Sequence, residues 1–79
     1  MGGMAYGRKV RQDAAGVSYS YGISPRELEG VLVIPFPDLD SWYVEGNGST
    51  PLEARWVFAT AVRLHQQTGR WPDEAPFFS

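Results

Sequence analysis

Cysteine is absent from this 79-residue chain. That excludes thiol catalysis, thiolate metal sites and disulfide staples. A secreted domain this short usually needs such staples, so their absence predicts a reducing, cytoplasmic setting. Histidine is nearly as scarce. His65 stands alone, which removes clustered His/Cys zinc sites and leaves any serine nucleophile with one available imidazole base. Long apolar runs are missing as well. No stretch is long enough to span a bilayer, and the start lacks the charged-then-apolar order of a signal peptide. Gly46 and Gly48 come without the lysine and third glycine of a phosphate-binding loop. Charge of one sign is not in excess either. A net charge of −2 exerts no general pull toward nucleic acid or an anionic membrane.

What is present points to a small folded domain. Hydrophobic residues make up 43 % of the chain and charged ones 20 %, a balance far from that of a disordered segment. Trp42, Trp56 and Trp71 bring large buried area per residue, which suits a chain with room for one small core. The charges are unevenly placed. Arg8, Lys9 and Arg11 lie near the start, Asp38, Asp40 and Glu45 mid-chain, and Asp73 and Glu74 near the end.

Residues 1–16 carry four glycines and no period, and are expected to form a flexible N-terminal arm. From Val17 to Tyr21 the chain alternates, with Val17, Tyr19 and Tyr21 inward and Ser18 and Ser20 on a wet outer face. Ile23 to Gly30 reads as a polar connection, long enough for a wide hairpin or a single helical turn. Val31 to Phe36 is an unbroken apolar run, as in a strand covered on both faces or a central one. Pro35 and Pro37 limit pairing at its end. Pro37-Asp38-Leu39-Asp40 is a turn, and Ser41 to Glu45 a third short strand. A helix then opens with strong punctuation. Thr50 is placed as N-cap, Pro51 in the first helical position, and Glu53 closing a capping box. Gly69 is its left-handed stop after Thr68.

At about 100° per residue, Ala54, Val57, Phe58, Ala61, Val62 and Leu64 gather on one helix face with His65 among them. Thr60, Leu52, Trp56 and Ala59 fall elsewhere on the wheel. Three readings of the Leu52/Trp56/Ala59 strip stand open: the tail with Phe77 and Phe78 folds over Trp56, Trp56 is a single exposed ring, or a partner covers the strip. The expected architecture is α+β, a three-stranded antiparallel sheet covered on one face by a single C-terminal helix, β-β-β-α. Residues 17–70 form the domain and 71–79 an extended tail.

The run Val31-Leu32-Val33-Ile34-Pro35-Phe36-Pro37-Asp38-Leu39, then Gly46, then Thr50-Pro51-Leu52-Glu53-Ala54, resembles the HicB-type antitoxin family. Phe36, Pro37, Asp38, Leu39, Thr50, Glu53 and Ala54 match its pattern by type and order. Asp40 and Ser41 stand where the family usually has Pro-Gly, and the turn before Thr50 is longer. The resemblance covers roughly residues 17–68 and implies a sheet-and-helix domain that masks a small ribonuclease toxin, and it also implies self-association. Family members commonly carry an added DNA-binding module, and none is read in this chain.

The function expected is therefore that of a small protein-binding module, not an enzyme, whose specific form is an antitoxin-like inhibitor of a ribonuclease toxin. A homo-oligomeric accessory protein, or a small nucleic-acid binder using the basic arm and the tyrosines of the first strand, is the alternative. The partner-binding candidates are Leu52, Trp56, Ala59, Asp38, Asp40 and Glu45, the acids meeting a basic protein by charge. No cofactor, metal or membrane is expected.

Overall fold

The computed structural model describes residues 4–46 and 51–78. Strands β1 (Met4–Gln12), β2 (Gly16–Ser24) and β3 (Glu27–Pro35) form an antiparallel meander. A 3-10 turn at Leu39–Ser41 leads to the two-residue strand β4 (Tyr43–Val44). Helix α1 (Leu52–Thr68) follows, and the chain returns to end in β5 (Phe77–Phe78). The strand order is β4-β3-β2-β1-β5.

The fold is thus α+β, with an antiparallel sheet and one C-terminal helix. The sheet is larger than the three strands expected. Four strands precede the helix, and β5 adds two residue pairs along the outer edge of β1. The residues assigned to a flexible arm supply the extra strand. Met4–Gln12 pair along their length with β2, through a bulge between Lys9 and Arg11. Asp13 makes the hairpin: its Oδ1 accepts from the Ala15 and Gly16 amides at 2.9 and 3.1 Å.

Gly7 explains why β1 shows no apolar period. Ala5 and Gly7 face the helix while Tyr6 and Arg8 face away. A methyl group on Gly7 would overlap the side chain of Val57. The inward position must be empty for α1 to sit down on β1, so the strand lacks the large apolar residue that marks its neighbours.

Other boundaries also shift. Of the two readings of Ile23 to Gly30, the hairpin holds: the segment is the far end of the β2–β3 hairpin, its strands run on to Ser24 and from Glu27, and bulges absorb register around Gly22. The third strand shortens to Tyr43–Val44 because the Asp38 carboxylate accepts from the Asp40 amide and the Ser41 hydroxyl, winding the preceding residues into a 3-10 turn. Pro51 is the residue flanking the helix rather than its first residue. The Thr50 cap lies outside the described residues. The stop is as read from the sequence: Gly69 is left-handed, with φ at 79°.

Val17, Tyr19, Tyr21, Leu32, Ile34 and Val44 pack beneath Ala54, Val57 and Ala61. Small residues at these helix positions let the layers approach closely. Thr60, expected on the wet side, is 2 % exposed. It lies on the arc between Val57 and Trp56, and the returning tail widens the buried face there.

Two outcomes test this layering. Gly7→Val overpacks the helix–sheet contact and costs about 1–3 kcal/mol in urea unfolding. Deleting residues 1–12 abolishes cooperative unfolding, whereas removal of a mobile arm would leave it intact.

Candidate functional site

The six partner-binding candidates occupy opposite flanks of the molecule. Trp56 leans toward the β5 edge, where its ring stacks on Phe77 at 4.8 Å between centroids. The tail therefore covers Trp56 in part. Leu52, 51 % exposed, and the exposed Ala59 continue that strip. Phe58, two residues on, points to the other flank and stacks on Trp42 at 4.7 Å, beside β4. Asp38, Asp40 and Glu45 belong to this β4 side. Asp38 is engaged as the cap of the 3-10 turn, while Asp40 and Glu45 are exposed. The helix strip and the acidic group do not form one surface.

The acidic group is larger than the sequence reading gave it. From Glu27 to Glu45 the chain holds five carboxylates, Glu27, Glu29, Asp38, Asp40 and Glu45, and no lysine or arginine. This stretch contains β3, the 3-10 turn and β4, one lateral edge of the sheet. Among the described residues, β4 pairs only with Leu32 and Val33, and the Glu45 amide donates to the Val31 carbonyl at 2.9 Å. The outer edge of β3 before Val31 has no described strand partner. The basic residues Arg8, Lys9 and Arg11 lie across the sheet on β1.

A cleft of about 950 Å³ opens at the C-terminal end of α1, lined by Lys9, Phe36, His65, Thr68, Arg70 and Trp71 among others. Its wall is a three-ring stack. Trp71 lies between Phe36, at 5.7 Å and 17°, and His65, at 4.2 Å and 9°. Most of the polar groups here hold the tail. Lys9 Nζ donates to Gln12 Oε1 at 3.0 Å and to the Trp71 carbonyl at 3.4 Å. It also meets Asp73 at 3.2 Å, a weak pair because Asp73 is 91 % exposed. Thr68 Oγ1 donates to the Leu64 carbonyl and accepts from the Arg70 amide. The Tyr19 hydroxyl donates to the Pro72 carbonyl at 2.6 Å. His65 Nδ1 is buried without a hydrogen-bond partner. The cleft reads as the seam of a clamp. Among the described residues, no three His, Asp or Glu side chains converge to hold a metal ion, and no helix is long and apolar enough to cross a membrane.

No family model matches the chain, and no curated protein or solved structure does either.

Sequence reasoning overlooked the sheet face turned away from α1. Residues directly paired across strands share a face. Arg11, Ser18, Val33 and Tyr43 therefore form one row across β1–β4, and Arg8, Ser20, Val31 and Glu45 the next. Val31 and Val33 were read as covered on both faces or as part of a central strand, and β3 does lie between β2 and β4. They are half-buried, and Tyr43 is 50 % exposed. Ser18 and Ser20, expected to be wet, are buried at the floor of a trough between these larger side chains. Arg8 and Arg11 alternate with Lys9 as a strand's residues do once the bulge is counted, which is the one signal that could have revealed them.

The clamp has a pH signature. Burial, with the Asp73 charge adding to it, holds the Tyr19 hydroxyl well above its ordinary value. Tyr21 is raised too, by burial first and then by Glu29 and Glu53. An unfolded tyrosine releases its proton near pH 10 while the buried one keeps it. Above that pH the unfolded state binds fewer protons, so stability falls as pH rises. Tyr19→Phe should cost about 1–3 kcal/mol at pH 7 by leaving the Pro72 carbonyl unpaired. It should also flatten the alkaline decline by up to about 1.4 kcal/mol per pH unit, read by urea midpoints from pH 9 to 11.5.

Proposed function

We infer that this chain is a protein-binding module whose β3–β4 edge receives a basic protein. The observation that carries this is the run of five carboxylates without a cation along one lateral edge of the sheet, from Glu27 to Glu45. Such an edge steers a basic partner by charge and rejects an acidic one. The incomplete coverage of β3 adds a second means of recognition, because an open strand edge can pair with an incoming strand. Backbone pairing supplies affinity there and the flanking acids supply selectivity.

The resemblance to HicB-type antitoxins gives the specific form of this reading: a cytoplasmic inhibitor that covers a small basic ribonuclease. Phe36, Pro37, Asp38 and Leu39, which carry the resemblance, lie beside this same edge, between the end of β3 and the 3-10 turn. A basic ribonuclease presents cations for RNA, and an acidic edge competes for them. In the cleft beside Trp71, Lys9 is engaged with the Trp71 carbonyl and Thr68 with the end of α1 through the Leu64 carbonyl and the Arg70 amide.

Co-expression with the product of the adjoining reading frame tests the proposal. The expected result is a purified complex and relief of any growth arrest which that product causes alone. Glu27→Lys/Glu29→Lys and Asp40→Lys/Glu45→Lys, which leave the Asp38 cap in place, should each weaken the complex by roughly tenfold or more in low salt. Absence of a complex, or a complex indifferent to both variants, rejects the edge as the binding surface.

A further inference from the structure

The two cross-strand rows on the uncovered sheet face have an order that matters. Each passes from an arginine on β1 through a buried serine on β2 and a half-buried valine on β3 to Tyr43 on β4 or Glu45 just after it. On the outer side of β1, Arg8 is joined by a β-bridge to Glu74 of the tail. One row ends at the half-exposed Tyr43, the other at the exposed Glu45. Between β1 and β4 polarity therefore runs from a cation to an acid or an aromatic ring, with the exposed Glu74 flanking Arg8 at the outer rim.

We propose that this face is the interface of a two-fold homodimer, in which a second copy packs sheet against sheet with β1 over the partner's β4. The charge pattern selects this arrangement over its rival. Two sheets can face each other about an in-plane axis parallel or perpendicular to the strands. A perpendicular axis sets β1 over β1, bringing arginine against arginine and Glu45 against its own copy. A parallel axis between β2 and β3 keeps each row opposite itself in reverse order. Arg8 then meets the partner's Glu45, and Arg11 lies over the ring of the partner's Tyr43 as a cation–π pair. Ser20 faces the partner's Val31, and Ser18 the partner's Val33.

The sizes fit as well. Each valine of one sheet enters the trough above a serine of the other, where a second valine would clash. Packed sheets lie about 10 Å apart. Serine facing valine lets the sheets approach more closely than that at the centre, and the longer arginine and glutamate side chains bend to meet at the rim. The two salt bridges per dimer form at the periphery, around an apolar middle, as interfaces between proteins are generally built. Only β1, β2 and β3 run the full length of about 30 Å, about 10 Å apart from first to third, with the two-residue β4 and β5 flanking them. The interface is small, of the weak and reversible class. This surface differs from the β3–β4 edge assigned to a basic partner, with Glu45 common to both.

Single-stranded nucleic acid is the other occupant that Arg8, Arg11 and Tyr43 could suggest. Glu45 within the same rows, and the further carboxylates along the edge, oppose phosphate and favour a chain carrying its own arginines.

Sedimentation equilibrium across a concentration series tests the proposal on the full chain, with circular dichroism confirming the fold of each variant. The wild-type chain should pass from monomer to dimer. Val33→Lys should be monomeric throughout. Arg8→Glu and Glu45→Arg should each raise the dimer dissociation constant at least about tenfold, and the double variant Arg8→Glu/Glu45→Arg should restore it. A wild-type chain that remains monomeric at millimolar concentration overturns the proposal. So does a dimer insensitive to Val33→Lys, or a double variant weaker than either single one. Dimer dissociation by a single-stranded oligonucleotide bound through Arg8 and Arg11 would assign the face to nucleic acid instead.

Discussion

One helix has to cover a sheet wider than itself. An α-helix with its side chains is about 10–12 Å across, whereas the four spacings between five strands come to about 19 Å. The architecture follows from closing that shortfall. Ala54, Val57 and Ala61 seat α1 low over the middle of the sheet, and aromatic rings fill the spaces beside it. Trp42 with Phe58 closes the β4 side, and Trp56 with Phe77 the β5 side. Phe36, Trp71 and His65 close the end where the helix stops. The aromatic richness of a short chain is thus the means by which a two-layer domain with one helix excludes water from its core.

The returning tail is part of this closure. Its backbone is held to β1 by the Lys9 amide on the Asp73 carbonyl and by the Ala75 amide on the Gly7 carbonyl. Tyr19 reaches up from the sheet to the Pro72 carbonyl. Segments distant in sequence, residues 4–12 and 71–78, are therefore neighbours and depend on each other. Neither has enough apolar surface to stand alone, and each completes the other's hydrogen bonding. The same closure leaves the opposite sheet face without a layer of its own. The interior is given over to packing, and an acidic lateral edge and an uncovered sheet face are left at the surface.

Local signals in the sequence carried several elements faithfully. Strict alternation placed Val17, Tyr19 and Tyr21 inward, and Gly69 marked the end of α1. These features depend on backbone chemistry within a few residues. Long-range pairing was not legible in the same way. β1 escaped notice because its inward positions are Ala5 and Gly7, small for the sake of a helix some fifty residues away. The burial of Thr60 depends on a tail whose path no local pattern specifies. Val31 and Val33 read as doubly covered because an apolar run says nothing of which face has a partner layer.

By itself, the sequence determined the class of fold, the helix with its stop, the inward face of β2 and the separation of basic from acidic segments. Each rests on short-range rules of period, capping and composition. Only the tertiary structure decided how many strands the sheet has, where the tail docks, and that Leu52 and Trp56 stand on the opposite flank from Asp40 and Glu45. It also decided that Arg8, Ser20, Val31 and Glu45 form one row. Such facts arise from pairing between distant segments, whose register is set by the whole core at once and by no residue's immediate neighbours.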